Sequence, residues 1–217
     1  MKILRPILAA AAAVLFAMPV MAQDGGRHQA GRFDYYVLSL SWSPTWCRSA
    51  GTARDAGQCA PRRRTGFVVH GLWPQYERGW PDYCATAQRD PSRRESQAMA
   101  DVMGSGGLAW YQWQKHGRCS GLPARGYYQA IRDAAGVVEI PPILRMLPRD
   151  VRLDASVIED AFIETNPALT RDGITVTCDG ERVDEVRICL ARDLQPRPCA
   201  PDSRRDCRGK LLMEAPR

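Results

Sequence analysis

Two histidines of the chain stand in segments that could carry proton-transfer chemistry. His70 follows an apolar run and precedes a glycine in FVVHGLWP, where the end of a strand would present its side chain. His116 lies in WQKHGRC, and helical spacing places Gln112, Lys115 and His116 on one face. Histidine has an ordinary pKa of about 6.5, so one such residue can be charged while another is neutral. Together the two could act as a general acid and a general base.

The same residue types also have structural explanations. A histidine after an apolar strand is often a half-buried, hydrogen-bonded residue, and a Lys-His pair on a helix is often simply solvated. The third histidine, His28, lies near the N-terminus and is treated as incidental. After residue 2 this arginine-rich chain uses lysine only at Lys115 and Lys210, which makes a lysine beside His116 more informative.

Strands and helices must position these side chains. Strands are predicted over residues 33–42, 65–70, 173–178 and 184–190. Helices are predicted over residues 90–102, 107–116, 126–135, 142–147 and 156–167, the last with a capping box of Ser156 and Glu159. The elements mix without a repeating strand–helix–strand order. This favours a single α+β domain with a central, mostly antiparallel sheet flanked by helices.

The N-terminus has the composition of a signal peptide over residues 1–22. Lys2 and Arg5 precede an apolar stretch over residues 7–20, and Val20-Met21-Ala22 is typical of a cleavage site. The stretch is shorter than the roughly 20 residues of a membrane anchor. We therefore expect an exported protein, periplasmic or secreted, without stable membrane association. Residues 23–32 would form a flexible leader and residues 33–217 the catalytic domain.

Eight cysteines in an exported chain indicate four disulfides. They are Cys47, Cys59, Cys84, Cys119, Cys178, Cys189, Cys199 and Cys207. Spacing alone leaves the pairing open. A zinc site is disfavoured because the chain has no CxxC pair and few histidines.

The composition of the 217-residue chain excludes collagen, coiled coil and wholesale disorder. Its formal net charge of +6 favours anionic partners such as nucleic acid or lipid headgroups. Arginine runs at residues 62–64 and 93–94 fit such a partner, although a solvated face explains them equally well. The six tryptophans leave an exported glycan-binding module as an alternative function.

The segments FVVHGLWP and WQKHGRC, with the leading FDYYVLSLSWSP, resemble the active-site segments and first strand of the ribonuclease T2 family. The resemblance runs from about residue 33 to residue 207. It implies an endonuclease that cuts single-stranded RNA through a 2′,3′-cyclic phosphate, with low base preference and no metal or other cofactor. DNA would not be cut, because the attacking group is the 2′-hydroxyl. We expect a monomer.

Catalytic roles follow from the resemblance residue by residue. It implies that His116 is the base, that His70 is the acid and that Lys115 stabilises the pentacoordinate phosphorus. Trp73 matches an aromatic residue that stacks on a base. The resemblance also implies disulfide pairs Cys84–Cys119, Cys178–Cys207 and Cys189–Cys199, with Cys47–Cys59 as the remaining pair.

Three positions depart from the family pattern. Tyr111 and Gln112 stand where the family usually has His-Glu, and Gln75 stands where many relatives have an acid near the first base. Gln112 can donate a hydrogen bond but cannot carry charge, so we expect retained activity and a lower pKa for His116. A catalytically weak relative that binds RNA is the alternative these changes suggest.

Overall fold

The computed structural model describes residues 28–51, 57–60, 63–145 and 147–216. The predicted signal peptide, residues 23–27 of the predicted leader and Arg62 lie outside the described residues.

A six-stranded sheet forms the centre of the described residues. Its strands are β1 Tyr35–Trp42, β2 Phe67–Gln75, β3 Val151–Leu153, β4 Ile174–Asp179, β5 Arg182–Leu190 and β6 Leu211–Met213. The order is β2-β1-β5-β6-β3, and β4 also pairs with β5. All pairs are antiparallel except β5 with β6.

Seven α-helices accompany the sheet in the described part of the chain. They are α1 Ser43–Trp46, α2 Arg93–Gln97, α3 Ala100–Met103, α4 Gly106–Lys115, α5 Ala124–Val137, α6 Pro142–Arg145 and α7 Ala155–Thr165. Helices and a mostly antiparallel sheet in one domain confirm the predicted α+β class. None of the helices among the described residues is long and apolar enough to cross a membrane.

Strand β1 is buried along its whole length, because the sheet is covered on both faces. One face, with Leu38 and Leu40, joins the main core with helix residues such as Trp113 and Phe162. The other face buries Tyr35 and Val37 in a smaller cluster with Cys189, Cys199 and Ala200. The continuous apolar sequence of this strand follows from its central place in the sheet.

Strand β2 continues to Gln75, past the predicted stop at Gly71 and Pro74. It is the edge strand of the sheet, so Pro74 can lie in it without removing a hydrogen bond from an interior ladder. The first turn signal in the sequence therefore did not end the strand.

Two helix predictions differ from the structure. Residues 90–102 form two short helices, and the first begins with a capping box in which Ser92 N–H donates to Glu95 Oε2 at 2.7 Å. The predicted capping box at Ser156 and Glu159 is wrong. Helix α7 begins at Ala155 after Asp154, and the Glu159 carboxylate accepts from Arg171 at 2.8 Å instead of capping the backbone.

Residues 28–32, which the sequence assigns to a flexible leader, contact the domain. Gln29 forms an isolated parallel bridge with Ala85, and the Gly31 N–H donates to the Cys119 carbonyl at 2.9 Å. The backbone of these residues therefore has hydrogen-bond partners on the domain.

Four disulfides join the eight cysteines. They are Cys47–Cys59, Cys84–Cys119, Cys178–Cys207 and Cys189–Cys199. These are the pairs that the resemblance implies. Cys84–Cys119 ties the loop after β2 to the turn after α4, and the Tyr83 N–H donates to the Lys115 carbonyl at 2.8 Å beside it. The bond thus links the two segments that contain the histidines.

Candidate active site

A cleft of about 500 Å³ lies between the β1, β2 and β5 part of the sheet and the end of helix α4. All seven predicted site residues line it: His70, Trp73, Gln75, Tyr111, Gln112, Lys115 and His116. Seven further residues complete its lining: Val37, Trp46, Trp80, Arg187, Cys189, Asp202 and Ser203. Folding therefore brings the two histidine segments, distant in sequence, to one cavity.

A β-bulge at His70 determines which side chains of β2 face this cleft. In the pairing of β1 with β2, Ser39 lies opposite Gly71 while Leu40 lies opposite Val69, so His70 is the extra residue. A bulge redirects the side chains of a strand locally. The bulge shifts the alternation of β2, so that Trp73 and Gln75 face the cleft together with His70, while Val69 and Leu72 are buried in the core.

His70 is held from behind by a buried carboxylate. Its Nδ1–H donates to Glu185 Oε1, and Glu185 on β5 is only 4% exposed. The Arg187 Nε–H donates to the other oxygen, Oε2, at 2.8 Å. Burial acts to raise the pKa of Glu185, but the hydrogen bond and charge of His70, with Arg187, outweigh it and lower the pKa to about 2. Glu185 is therefore ionised at the pH values where an imidazole titrates.

His116 has very different surroundings. It follows the last residue of α4, its N–H donates to the Gln112 carbonyl at 2.9 Å, and the residue is 6% exposed. Its Nδ1 is buried without a hydrogen-bond partner among the described residues. Burial, and after it the charges of Lys115 and His70, lower the pKa of His116 to about 3. This imidazole is consequently neutral through the mildly acidic and neutral range.

Trp73 lies between the two imidazoles. Its ring centroid is 5.4 Å from that of His70, edge-on, and 5.3 Å from that of His116, stacked. The indole N–H donates to Gln112 Oε1 at 2.7 Å, and the Arg187 guanidinium carbon lies 5.2 Å from the ring centroid. The indole is thus fixed by its neighbours and separates the histidines within one cleft.

Two glycines leave the space that this arrangement needs. A side chain at Gly71 would overlap the indole nitrogen of Trp73 and the amide oxygen of Gln112. A Cβ at Gly117 would lie 2.6 Å from ring atoms of both Trp113 and Tyr127. The glycines after both histidines are therefore required by close packing.

The other predicted site residues differ in what they offer to a ligand. Gln75 is 7% exposed, and its amide donates to the Pro74 carbonyl at 3.0 Å. Tyr111 is 45% exposed at the rim, and Trp80 beside the cleft is 55% exposed. The open aromatic surface at the cleft thus comes from Trp80 and Tyr111, whereas Trp73 is packed between other groups.

Sequence reasoning missed Glu185 and Arg187. A signal was present, because Glu185, Arg187 and Cys189 alternate along β5 with the buried Val186 and Ile188. The pairing places Glu185 opposite Ser41 and Arg187 opposite Ser39 on β1. The strand therefore has an apolar core face and a polar face toward the cleft, but the sequence does not show which strand it pairs with.

Side chains that could bind a metal do not form a cluster in the part of the chain that the structure describes. No three His, Cys, Asp or Glu side chains there come close enough together to hold an ion.

Comparison of the sequence with known families gives one assignment. The model of the Ribonuclease T2 family matches residues 33–199. A ribonuclease of Aeromonas hydrophila is 45% identical over 105 residues, which are 48% of this chain and 46% of that protein. Intracellular ribonuclease LX of Solanum lycopersicum is 30% identical over 119 residues, 46% of this chain and 47% of that protein. The chain thus spans about half the length of these curated relatives.

Solved structures show the same fold. An RNase-related protein from Calystegia sepium superposes with a TM-score of 0.67 at 22% identity, over 86% of this chain and 99% of that one. RNase NT in complex with 5′-AMP gives a TM-score of 0.62 at 23% identity, over 85% of this chain and 98% of that one.

Proposed function

The chain belongs to the ribonuclease T2 family, and from this premise we propose that it is an endoribonuclease that cleaves single-stranded RNA by transphosphorylation. The observation that carries the proposal is the unequal pair of imidazoles in one cleft. His116 is buried and neutral, whereas His70 is bound to an ionised carboxylate. A neutral imidazole can accept a proton, and an imidazole whose one nitrogen is bound to a carboxylate can present its other nitrogen to the substrate.

The reaction uses the two imidazoles in turn. His116 takes the proton of the ribose 2′-hydroxyl, and the 2′-oxygen forms a bond to the phosphorus. The bond from phosphorus to the 5′-oxygen then breaks, and that oxygen receives a proton from His70. The products are a 2′,3′-cyclic phosphate and a free 5′-hydroxyl. Each proton transfer contributes about 10²- to 10⁴-fold to the rate.

Lys115 supplies positive charge where the phosphoryl oxygens gain negative charge. It lines the cleft directly before His116, so one segment provides both the base and the cation. Fixed charge at such a position stabilises a transition state because little reorganisation is needed. The reaction as proposed needs no metal or other cofactor, and Gln112 takes part by holding Trp73.

Base preference is proposed to be low. Gln75, at the position where many relatives have an acid, directs its amide to the Pro74 carbonyl. Trp80 and Tyr111 offer open ring surface at the cleft, and stacking accepts any base. Among the solved relatives, RNase NT forms a complex with 5′-AMP and a variant of RNase MC1 forms one with 5′-UMP.

Export to an oxidising compartment, periplasmic or extracellular, is part of the proposal. Four disulfides within one domain fit such a compartment. We propose a monomer without stable membrane association, and fractionation of the producing cells with sizing of the purified protein tests both points.

Digestion of RNA by the parent, His70→Ala and His116→Ala tests the proposal. We expect 2′,3′-cyclic phosphate ends from the parent, undiminished by EDTA, and a loss of about 10²-fold or more in each variant. DNA of the same sequence should stay intact. His28→Ala is the matched control, because His28 does not line the cleft and its Nδ1 contacts Asp82, which is also outside the cleft lining. Binding of RNA without cyclic-phosphate ends would instead support the binding protein.

A further inference from the structure

Three charged or titratable side chains form a hydrogen-bonded line in the wall of the cleft, with the buried Glu185 between Arg187 and His70. Arg187 donates to Oε2 of Glu185, and Oε1 of Glu185 accepts from Nδ1 of His70. The two oxygens of one carboxylate therefore serve different donors. Arg187 and His70 line the cleft, whereas Glu185 does not.

The burial of the Glu185 carboxylate costs solvation free energy unless hydrogen-bond donors compensate for it. A carboxylate removed from water loses much solvation free energy, which only close donors can restore. Glu185 is 4% exposed, and both its partners are about one-third exposed. The carboxylate thus lies behind the imidazole, where it can act on His70 but cannot touch RNA.

We propose that Glu185 is a positioning residue for the proposed acid. By accepting from Nδ1, it fixes the ring so that Nε2 is the nitrogen left for the cleft, and its negative charge stabilises the protonated ring. Arg187 in turn fixes the carboxylate. The inference rests on the proposed function, because it assigns Glu185 to the step in which His70 protonates the 5′-oxygen.

Other charged and titratable groups around His70 also act on its ring, besides Glu185. From β5 they include Asp184 as well as Glu185 and Arg187. From the end of α4 they are the neutral His116 and Lys115, and the positive charge of Lys115 disfavours a second cation in the cleft. Among these groups Glu185 is the one hydrogen-bonded to the His70 ring in the described residues.

The test compares two substrates that differ in their need for an acid. A dinucleoside phosphate has a poor leaving group, whose oxygen must be protonated as it departs. The matching nucleoside 3′-(para-nitrophenyl phosphate) has a leaving group that departs without a proton. For Glu185→Gln we expect kcat to fall tenfold or more on the dinucleoside phosphate and to change less than about twofold on the aryl ester.

Glu159→Gln is the matched control. Glu159 is also 4% exposed and also paired with an arginine, Arg171, at 2.8 Å, but it does not line the cleft. It should leave the rates on both substrates at parental values.

Equal losses on both substrates would assign Glu185 to stability alone and overturn the inference, as would parental rates on both. Turnover of the aryl ester shows that the variant is folded with an assembled site. If the parent itself forms no cyclic phosphate, the proposed function fails rather than this inference.

Discussion

At the scale of single residues, the two histidines are separated in role by their surroundings. His116 is enclosed near a lysine, so its pKa falls to about 3, first through burial and then through charge. His70 is bound to a carboxylate. Identical side chains thus have different surroundings, one buried beside a lysine and the other hydrogen-bonded to a carboxylate.

The substitution Gln112→Glu tests how charge at this position affects His116. We expect the acidic limb of the parent's pH–rate profile to lie well below pH 6.5, because the base loses its proton-accepting form only near its lowered pKa. A glutamate at 112 can still accept from the Trp73 indole but adds negative charge. It should therefore raise the pKa of His116 and move the acidic limb to higher pH.

Profiles of kcat/KM against pH for parent and variant check this expectation, with Gln112→Leu as the contrasting variant. Leucine removes the acceptor for the Trp73 N–H without adding charge. It should lower the rate but leave the acidic limb in place. Identical profiles for parent and Gln112→Glu would contradict the expected effect of charge.

The residues that line the cleft could be predicted from the sequence more completely than Glu185, which contacts His70 from behind. His70, Trp73, Lys115 and His116 stand in local segments that can be read directly from the chain. Glu185 is more than one hundred residues from His70, and its role depends on how β5 is aligned with β1. That alignment is a property of the folded sheet, and no local pattern encodes it.

At the scale of elements, β2 is the part of the fold on which the cleft depends most. A regular strand would continue its alternation from Val69 and place Trp73 on the core side, away from His70. Gly71 completes the bulge by leaving room for the Trp73 indole. Strand, bulge and indole therefore act as one unit in presenting the proposed acid.

Gly71→Ala should displace this unit with little effect on the rest of the fold. A Cβ at this position would overlap the indole of Trp73, which must move and lose its hydrogen bond to Gln112. Misplacement of a catalytic group by about 1 Å can cost on the order of 10²-fold in rate. We expect a loss of that order in kcat/KM on RNA.

Gly136→Ala provides the control for this prediction. Gly136 lies in α5, and a Cβ there would meet nothing within 4 Å. It should retain parental activity and unfold at the parental temperature or above it, since alanine favours a helix. Parental activity in Gly71→Ala would show that the indole can move without harm.

Element boundaries were harder to predict than the elements themselves. Strands β3 and β6 have three residues each, too few for an alternating pattern to emerge. Pro74 was expected to stop β2, but the sheet edge accommodates it. In both cases the deciding factor is the place of a segment in the sheet, which depends on residues far away in sequence.

At the scale of the whole molecule, buried titratable groups make the free energy of unfolding depend on pH. Different groups act in opposite directions. Folding lowers the pKa of His116 from 6.5 to about 3. Between these pH values the unfolded chain binds a proton on His116 that the folded chain does not, so the folded state loses stability as the pH falls from 6.5 to about 3. Glu185, whose pKa is lowered from 4.5 to about 2, acts in the same direction at lower pH. Both residues of the site therefore make the fold less stable in acid.

Glu159 acts in the opposite direction. Burial, and after it the neighbouring Asp206 carboxylate, raise the pKa of Glu159 from 4.5 to about 7, against the lowering effect of Arg171. The folded chain therefore holds a proton that the unfolded chain releases between these values. Its contribution to stability is complete below pH 4.5 and is lost as the pH rises through 7.

Glu159→Gln removes this titration while keeping an acceptor for Arg171. As the pH rises from about 4.5 to about 7.5, the free energy of unfolding of the parent should fall by about 1–3 kcal/mol more than that of the variant. Urea denaturation of both proteins at several pH values measures the difference. Glu164→Gln, on the exposed side of the same helix, should track the parent at every pH. Parallel curves for parent and Glu159→Gln would mean that Glu159 is ionised in the folded protein throughout, with Arg171 outweighing the burial.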